Sequence, residues 1–476
     1  MTTHQPADTD TDLPVRTHTD DGNALHLVDQ CHQRIRYCPQ RGRWLTWDDH
    51  RWAWDDAGRV TEAARHLIRT LTDDDGPEAL RKHRHRSLDQ RRLNAMVNLA
   101  RTDPRIVVQA HQLDADPHAL ATPAGVVNLR DGTLTEPDPA ANHTRSTTTA
   151  PDPDQPTPRW DQFLAQTFAG HPELTGYVQR LAGYSITGAI THHVLPFLHG
   201  GGDNGKSVFL DVVRHILGDY ASTAPAGFLM SNKDKHETEI ARLHGLRFVI
   251  ASEVNQTDRF DEAKVKLLTG GDALTARFMG RDHFTFRPTH HLWLMGNHRP
   301  TVQAGGKSFW RRLRIVSFTN TIDPAHRDDE LAHKLIRDEA PGILAWLIAG
   351  AVASQPANGG LADPVSVLTE TRNYALEEDT LARFVEDRCH LGGGTHVRTN
   401  TKHVLDAYRD WCRDEGTRPV NQTVFGRELA TRFDIAQVRS NGQRFYQGLT
   451  LLAADEGADT WHQREPDEPD DRERYP

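Results

Sequence analysis

The chain has 476 residues, 37% of them hydrophobic, and a formal charge of −10, enough length and apolar content for about three domains with real cores. Residues 1–22 hold five Asp against one Arg and residues 455–476 hold nine acids against three Arg, so the acidity lies in the two ends and residues 23–454 are neutral. No apolar run approaches the ~20 residues of a membrane span, and the four cysteines form no C-x-x-C pair, which predicts a cytoplasmic protein without membrane partner, disulfide framework or structural zinc.

In chain order, residues 1–22 lack apolar periodicity and read as a disordered acidic tail, as do residues 455–476. Arg43–Trp47 and Arg51–Trp54 alternate aromatic and other residues and predict a hairpin; Val60–Leu71 and Glu78–Arg101 predict helices. Arg81-Lys82-His83-Arg84-His85-Arg86 with Arg91-Arg92 is a basic patch that suits a solvated helix face as well as a nucleic-acid contact. Asp131-Gly132 marks a hairpin turn, and the proline-rich Pro151–Pro158 marks a domain edge. These elements make an N-terminal α+β domain over residues 23–150.

From Trp160 to Phe318 the pattern becomes α/β. An apolar strand, Val194–Leu198, runs into Gly200-Gly201-Gly202-Asp203-Asn204-Gly205-Lys206-Ser207, and a helical pattern from Val208 to Leu217 follows. This is G-x-x-x-x-G-K-S in the strand–loop–helix setting that a phosphate-binding P-loop requires. The glycines let backbone N–H groups turn toward a phosphate, Lys206 reaches its β and γ oxygens, and the Ser207 hydroxyl can ligate Mg²⁺. Gly200 through Ser207 are therefore the expected ATP-binding residues. Pro196 inside the strand predicts a bulge or a shifted strand start, because proline gives no ladder hydrogen bond.

An ATPase also needs an acid at a neighbouring strand end. Leu246–Ser252 reads as a buried strand ending at Glu253, which can hold Mg²⁺ with Ser207 and polarise the attacking water. Leu292–Gly296 is a second apolar strand, ending at Asn297, a group that could orient that water. Arg311 and Arg312 precede a third strand, where Arg312, or failing that Arg311, could act as an arginine finger on a neighbouring subunit. These features give an ATPase domain over residues 151–354. Within residues 355–454, helices at Thr401–Trp411 and Val424–Phe433 precede a hairpin signalled by Asn441-Gly442; helix, helix, hairpin is the order of a winged-helix domain, which serves DNA or protein contacts.

The order of these motifs, together with Leu181–Gly188, His236–Arg247, Lys266–Asp272 and Gly296-Asn297-His298-Arg299-Pro300, resembles the superfamily 3 helicases of the phage, plasmid and poxvirus primase-helicase type over roughly residues 110–450. The resemblance implies an AAA+-like core in a hexameric ring, with ATP at subunit interfaces, moving along single-stranded or forked DNA during phage, prophage or plasmid replication. It also implies a DNA-holding β-hairpin, here Leu274–Phe286, in which Arg277, Arg281 and His283 meet phosphates. No paired carboxylates follow a convincing strand, so the expectation is the helicase part alone, with a separate primase or polymerase as partner. The alternative is a P-loop DNA-binding ATPase that uses ATP only to assemble, as a replication initiator or antiviral sensor would. A small-molecule kinase leaves the C-terminal unit and the paired arginines unexplained.

Overall fold

The computed structural model describes residues 18–231, 237–252, 258–280, 282–302, 305–322 and 327–452. Glu253, Arg281, His236 and nearly all of both acidic ends lie outside them. Helix α1 (Asp20–Cys31) opens the described chain, with Thr19 Oγ1 accepting from Gly22 N at 3.0 Å. Residues 20–22, expected in the tail, thus form a capped first turn. Strands β1 (Ile35–Cys38), β2 (Arg43–Trp47) and β3 (Trp52–Trp54) make an antiparallel sheet, β1 being unforeseen.

Helices α2 (Arg59–Arg69), α3 (Glu78–Ser87) and α4 (Gln90–Ala100) close this unit around Leu27, Val28, Ile35, Ile68 and Met96. One helix was expected over residues 78–101. Extended backbone at Asp89 (ψ 137°) breaks it, so that α4 packs along α1 while His83 and Ser87 of α3 bond Asn23. On α3 two residues of the basic patch are answered locally, Lys82 by Glu78 and Arg84 by Asp74, while Arg92 of α4 pairs with Asp20 of α1.

Strands β4 (Ala119–Thr122), β5 (Gly125–Asn128) and β6 (Leu134–Thr135) form a second antiparallel sheet, with the expected turn at Asp131-Gly132. Leu120, Val127 and Leu129 sink into one apolar core with Trp160, Tyr177 and Phe209. The boundary expected at residue 150 therefore falls inside a continuous core.

Helices α5 (Pro158–Thr167) and α6 (Glu173–Ser185) lead to β7 (Leu195–His199), α7 (Lys206–Leu217), β8 (Ala221–Thr223), α8 (Glu237–Ala241), β9 (Phe248–Ser252), α9 (Glu262–Leu268), β10 (Leu274–Ala276), β11 (Phe284–Phe286), β12 (His291–Gly296), α10 (Lys307–Trp310), β13 (Leu313–Ser317) and α11 (Leu331–Ala353). Five strands form a parallel sheet in the order β13-β7-β12-β9-β8. Alternate side chains bury on opposite faces: Phe248, Ile250 and Trp293 meet the α5–α7 side, while Val249, Ala251, Leu292 and Leu294 meet the other. Near-continuous apolar strands are what a parallel sheet covered on both faces demands.

Pro196 stands inside β7 without the expected bulge, in regular register with Arg314 of β13. Leu195 N donates to Arg312 O on the β13 side, so the position of the missing Pro196 amide faces β12. Pairing with β12 starts only at Phe197, and no ladder bond is lost.

His290 and His291 enter β12 fully buried, their Nε2 atoms at 3.1 Å from Leu268 O and 3.2 Å from Thr187 O. Burial pushes their imidazoles down to about 4 and about 3. Because the unfolded chain binds these protons near pH 6.5 and the folded chain does not, the stability they confer is complete above that pH. It is lost progressively as pH falls toward the depressed folded values. Chemical denaturation is expected to show little change from about pH 8 to 7 and a loss of about 2 kcal/mol per histidine by about pH 5; a flat profile across that window would refute it.

Helices α6 and α11 cross with their backbones in contact at two glycines. A Cβ on Gly183 would stand 2.1 Å from Ala351 N, and one on Gly350 2.1 Å from Gln179 O. Both neighbours are backbone and cannot swing aside. Gly183→Ala is expected to cost about 3 kcal/mol in equilibrium denaturation, at the upper end for overpacking; an unchanged midpoint would show that the crossing yields.

Helix α12 (Val365–Glu377) lies on β13 and contributes Val367 and Tyr374 to the central cores, so the division expected at residue 354 also falls within packed structure. Beyond it, α13 (Thr380–Arg388), β14 (Cys389–Leu391), β15 (Arg398–Asn400), α14 (Thr401–Asp414), α15 (Gln422–Phe433), β16 (Gln437–Ser440), β17 (Gln443–Gln447) and β18 (Leu449–Leu451) enclose a separate core around Phe384, Tyr408, Phe425 and Leu429. Asn441 (φ 49°) and Gly442 (φ 77°) turn β16 into β17, the positive-φ pair that a two-residue hairpin requires. Among the described residues no helix is long and apolar enough to cross a membrane.

Candidate functional site

Parallel strands ending side by side leave a crevice at their carboxyl ends, and β7, β9 and β12 end there at His199, Ser252 and Gly296. The loop from Gly200 to Gly205 turns out of β7 and delivers α7, whose N-terminal amides and dipole favour an anion. Gly205 takes φ 88°, and a Cβ there would stand 2.7 Å from the Phe163 ring of α5; a Cβ on Gly200 would stand 2.2 Å from Phe318 O. Only glycine lets this loop lie against both neighbours.

Lys206 is buried, and its ammonium donates to Gly200 O at 2.7 Å and Asn204 Oδ1 at 2.9 Å, while Asn204 Nδ2 donates to Phe318 O at 2.9 Å. The loop is thereby tied to the end of β13. Ser207 is exposed, with Oγ 3.6 Å from Met295 Sδ. A thioether is a weak hydrogen-bond partner, so this hydroxyl remains a serviceable hard donor, the type that Mg²⁺ takes. His199, just ahead of the loop, is pushed down to about 4 by burial and by the cations of Arg299 and Lys206, and is neutral at neutral pH.

A cleft of about 900 Å³ surrounds this loop. Ser252, Asn297 and His298 line it with the strand ends; Arg159, Gln162, Phe163 and Gln166 line it from α5, Arg327 and Asp328 from the segment leading into α11, and Leu331 from its first residue. Lys206, Ser207 and Asn297 thus come together as expected. Glu253 lies outside the described residues, directly after Ser252. The α5 wall was not foreseen, nor was Arg327, which bonds Asp203 at 2.9 Å across the mouth and Asp329 at 2.6 Å. No local sequence signal marks residues 124 positions apart as partners.

The paired arginines separate. Arg312 is 7% exposed and donates to Thr269 Oγ1 at 3.1 Å and to Ser308 O, whereas Arg311 is exposed. The expected hairpin exists as β10 and β11 in antiparallel register, with Arg277 and His283 exposed and Met279 89% exposed at its tip; Arg281 lies outside the described residues. On the C-terminal unit, Arg427 of α15 and Arg439 and Arg444 of the β16–β17 hairpin are exposed.

The fold and cleft define an α/β protein with a parallel sheet, helices on both faces and a glycine-rich loop at the strand ends. Three family descriptions match in succession: "D5 N terminal like" over residues 24–169, "Family of unknown function (DUF5906)" over 198–312 and "Poxvirus D5 protein-like" over 376–451. These matches make the chain similar to D5-type proteins and to proteins of large DNA viruses that carry helicase and primase names. Protein 022R of Frog virus 3, which carries a helicase name, is 27% identical over 272 residues, covering 52% of this chain and 27% of that protein. C962R of African swine fever virus, which carries a primase name, is 24% identical over 326 residues, covering 63% and 34%. The matches thus span about a quarter to a third of those relatives' length. The solved C-terminal region of NrS-1 aligns with a TM-score of 0.49 at 10% identity, covering 90% of this chain and 99% of that one.

Proposed function

We propose that the chain is an ATP-driven DNA helicase of viral, phage or plasmid replication, working as a hexameric ring on single-stranded DNA. The observation that carries this reading is the buried Lys206 ammonium, held at the N-terminus of α7 within a cleft that Asn297 also lines. Gly200–Ser207 would form a P-loop cradling ATP, with Lys206 on the β and γ oxygens. Ser207, with Glu253, would hold Mg²⁺, which supplies charge neutralisation at the phosphates when bound. Asn297 would orient the attacking water.

Arg311 is the better-placed finger, because Arg312 is already engaged within its own chain. The exposed Arg277 and His283 suit DNA phosphates, and the C-terminal unit fits a winged helix presenting α15 and its hairpin. Separate cores favour a domain division near residues 110 and 378 rather than 150 and 354. Strand displacement on a forked duplex tests the reading: the wild type is expected to unwind with ATP and Lys206→Ala is not. Turnover without displacement would favour a DNA-binding ATPase that uses ATP for assembly.

A further inference from the structure

Arg299 lies two residues beyond Asn297, and its guanidinium donates to Glu370 at 2.8 Å and Glu377 at 3.0 Å while standing over the Tyr374 ring, 5.5 Å from its centroid. Positions 370, 374 and 377 recur at helical spacing and share one face of α12. The same loop is tied to that helix twice more: the Tyr374 hydroxyl donates to Pro300 O, and Val302 N donates to Glu378 at 2.7 Å. Single ion pairs as exposed as Arg299–Glu377 add little to stability. Several converging on one helix face set position instead.

The next residue after this clamp is Asp379. It caps α13 by accepting from Ala382 N at 3.0 Å, and both of its oxygens accept from Arg432 of α15. An unbroken path of covalent and hydrogen bonds therefore runs from Asn297 in the cleft through Arg299, α12 and Asp379 to α15. These links give displacement of the loop a physical route to α15.

We propose that Arg299 is a positioning residue that couples occupancy of the cleft to the placement of α15, with Asp379–Arg432 as the second joint. The proposal rests on reading the cleft as a nucleotide site. Coupling between two sites is reciprocal, so nucleotide must change the chain's affinity for DNA, and DNA its affinity for nucleotide.

The test uses the full chain, the slowly hydrolysed analogue ATPγS and a fluorescent single-stranded oligonucleotide. DNA affinity of the wild type is expected to change about fivefold or more on adding ATPγS, with altered hydrogen exchange at the amides of α15. Asp379→Asn retains the helix cap, since asparagine caps well, but weakens the bond to Arg432. It is expected to bind ATPγS as the wild type does while its DNA affinity no longer responds, and Arg299→Gln should lose the response as well. A response in Asp379→Asn and Arg299→Gln equal to the wild type's, or a wild type that binds ATPγS with no change in DNA affinity, overturns the coupling alone. Failure of the wild type to bind ATPγS overturns the nucleotide reading and the coupling with it.

Discussion

Replacing Lys206 with alanine is expected to lower ATP turnover by about 10²-fold or more, the scale of losing one preorganised electrostatic contact to developing charge. Lys206 is 4% exposed, and its ammonium lies 2.7 Å from Gly200 O and 2.9 Å from Asn204 Oδ1. That places it where an incoming phosphate meets it in a water-poor setting, and there a charge acts more strongly than in solvent. Alanine also leaves Asn204 Oδ1 without this donor, so the loop itself loosens. Phosphate release measured beside a thermal melt separates the two effects: a folded variant turning over near the wild-type rate would remove the P-loop assignment.

The second large effect is expected at Arg311. If this exposed side chain reaches a neighbour's γ-phosphate, Arg311→Ala should bind ATP normally and hydrolyse it about 10³- to 10⁵-fold more slowly. Arg312→Ala should behave differently. Its guanidinium bonds Thr269 Oγ1 and Ser308 O in the interior, so truncation is expected to cost about 1–3 kcal/mol of stability by orphaning buried groups. Mixing Lys206→Ala with Arg311→Ala subunits tests the geometry, because each variant damages a different half of a shared site. Recovered turnover in mixed assemblies supports action across an interface. No recovery, with co-assembly confirmed, assigns Arg311 no such role.

The sequence by itself determined the elements whose chemistry is local. Gly200–Ser207 declare a loop and a helix start because glycine torsions, a lysine and a hydroxyl at fixed offsets suffice for the motif. The strands ending at Ser252 and Gly296 are visible as apolar runs, and the Asn441-Gly442 turn follows from two residues tolerant of positive φ. The order of these motifs also carried the family resemblance. Packing between distant segments decided the rest. From the sequence Arg312 is expected ahead of Arg311 as the finger, and only the single turn of α10 against Thr269 shows Arg312 turned inward and Arg311 left outside. Pro196 is tolerated because β12 starts pairing one residue later, a matter of register between strands nearly a hundred residues apart. The domain edges moved for the same reason: Leu120 and Tyr374 belong to cores built from other parts of the chain. Burial is a property of what arrives from elsewhere, so the α5 wall of the cleft, the Asp203–Arg327 bridge and the Arg299 clamp became visible only once the chain was folded.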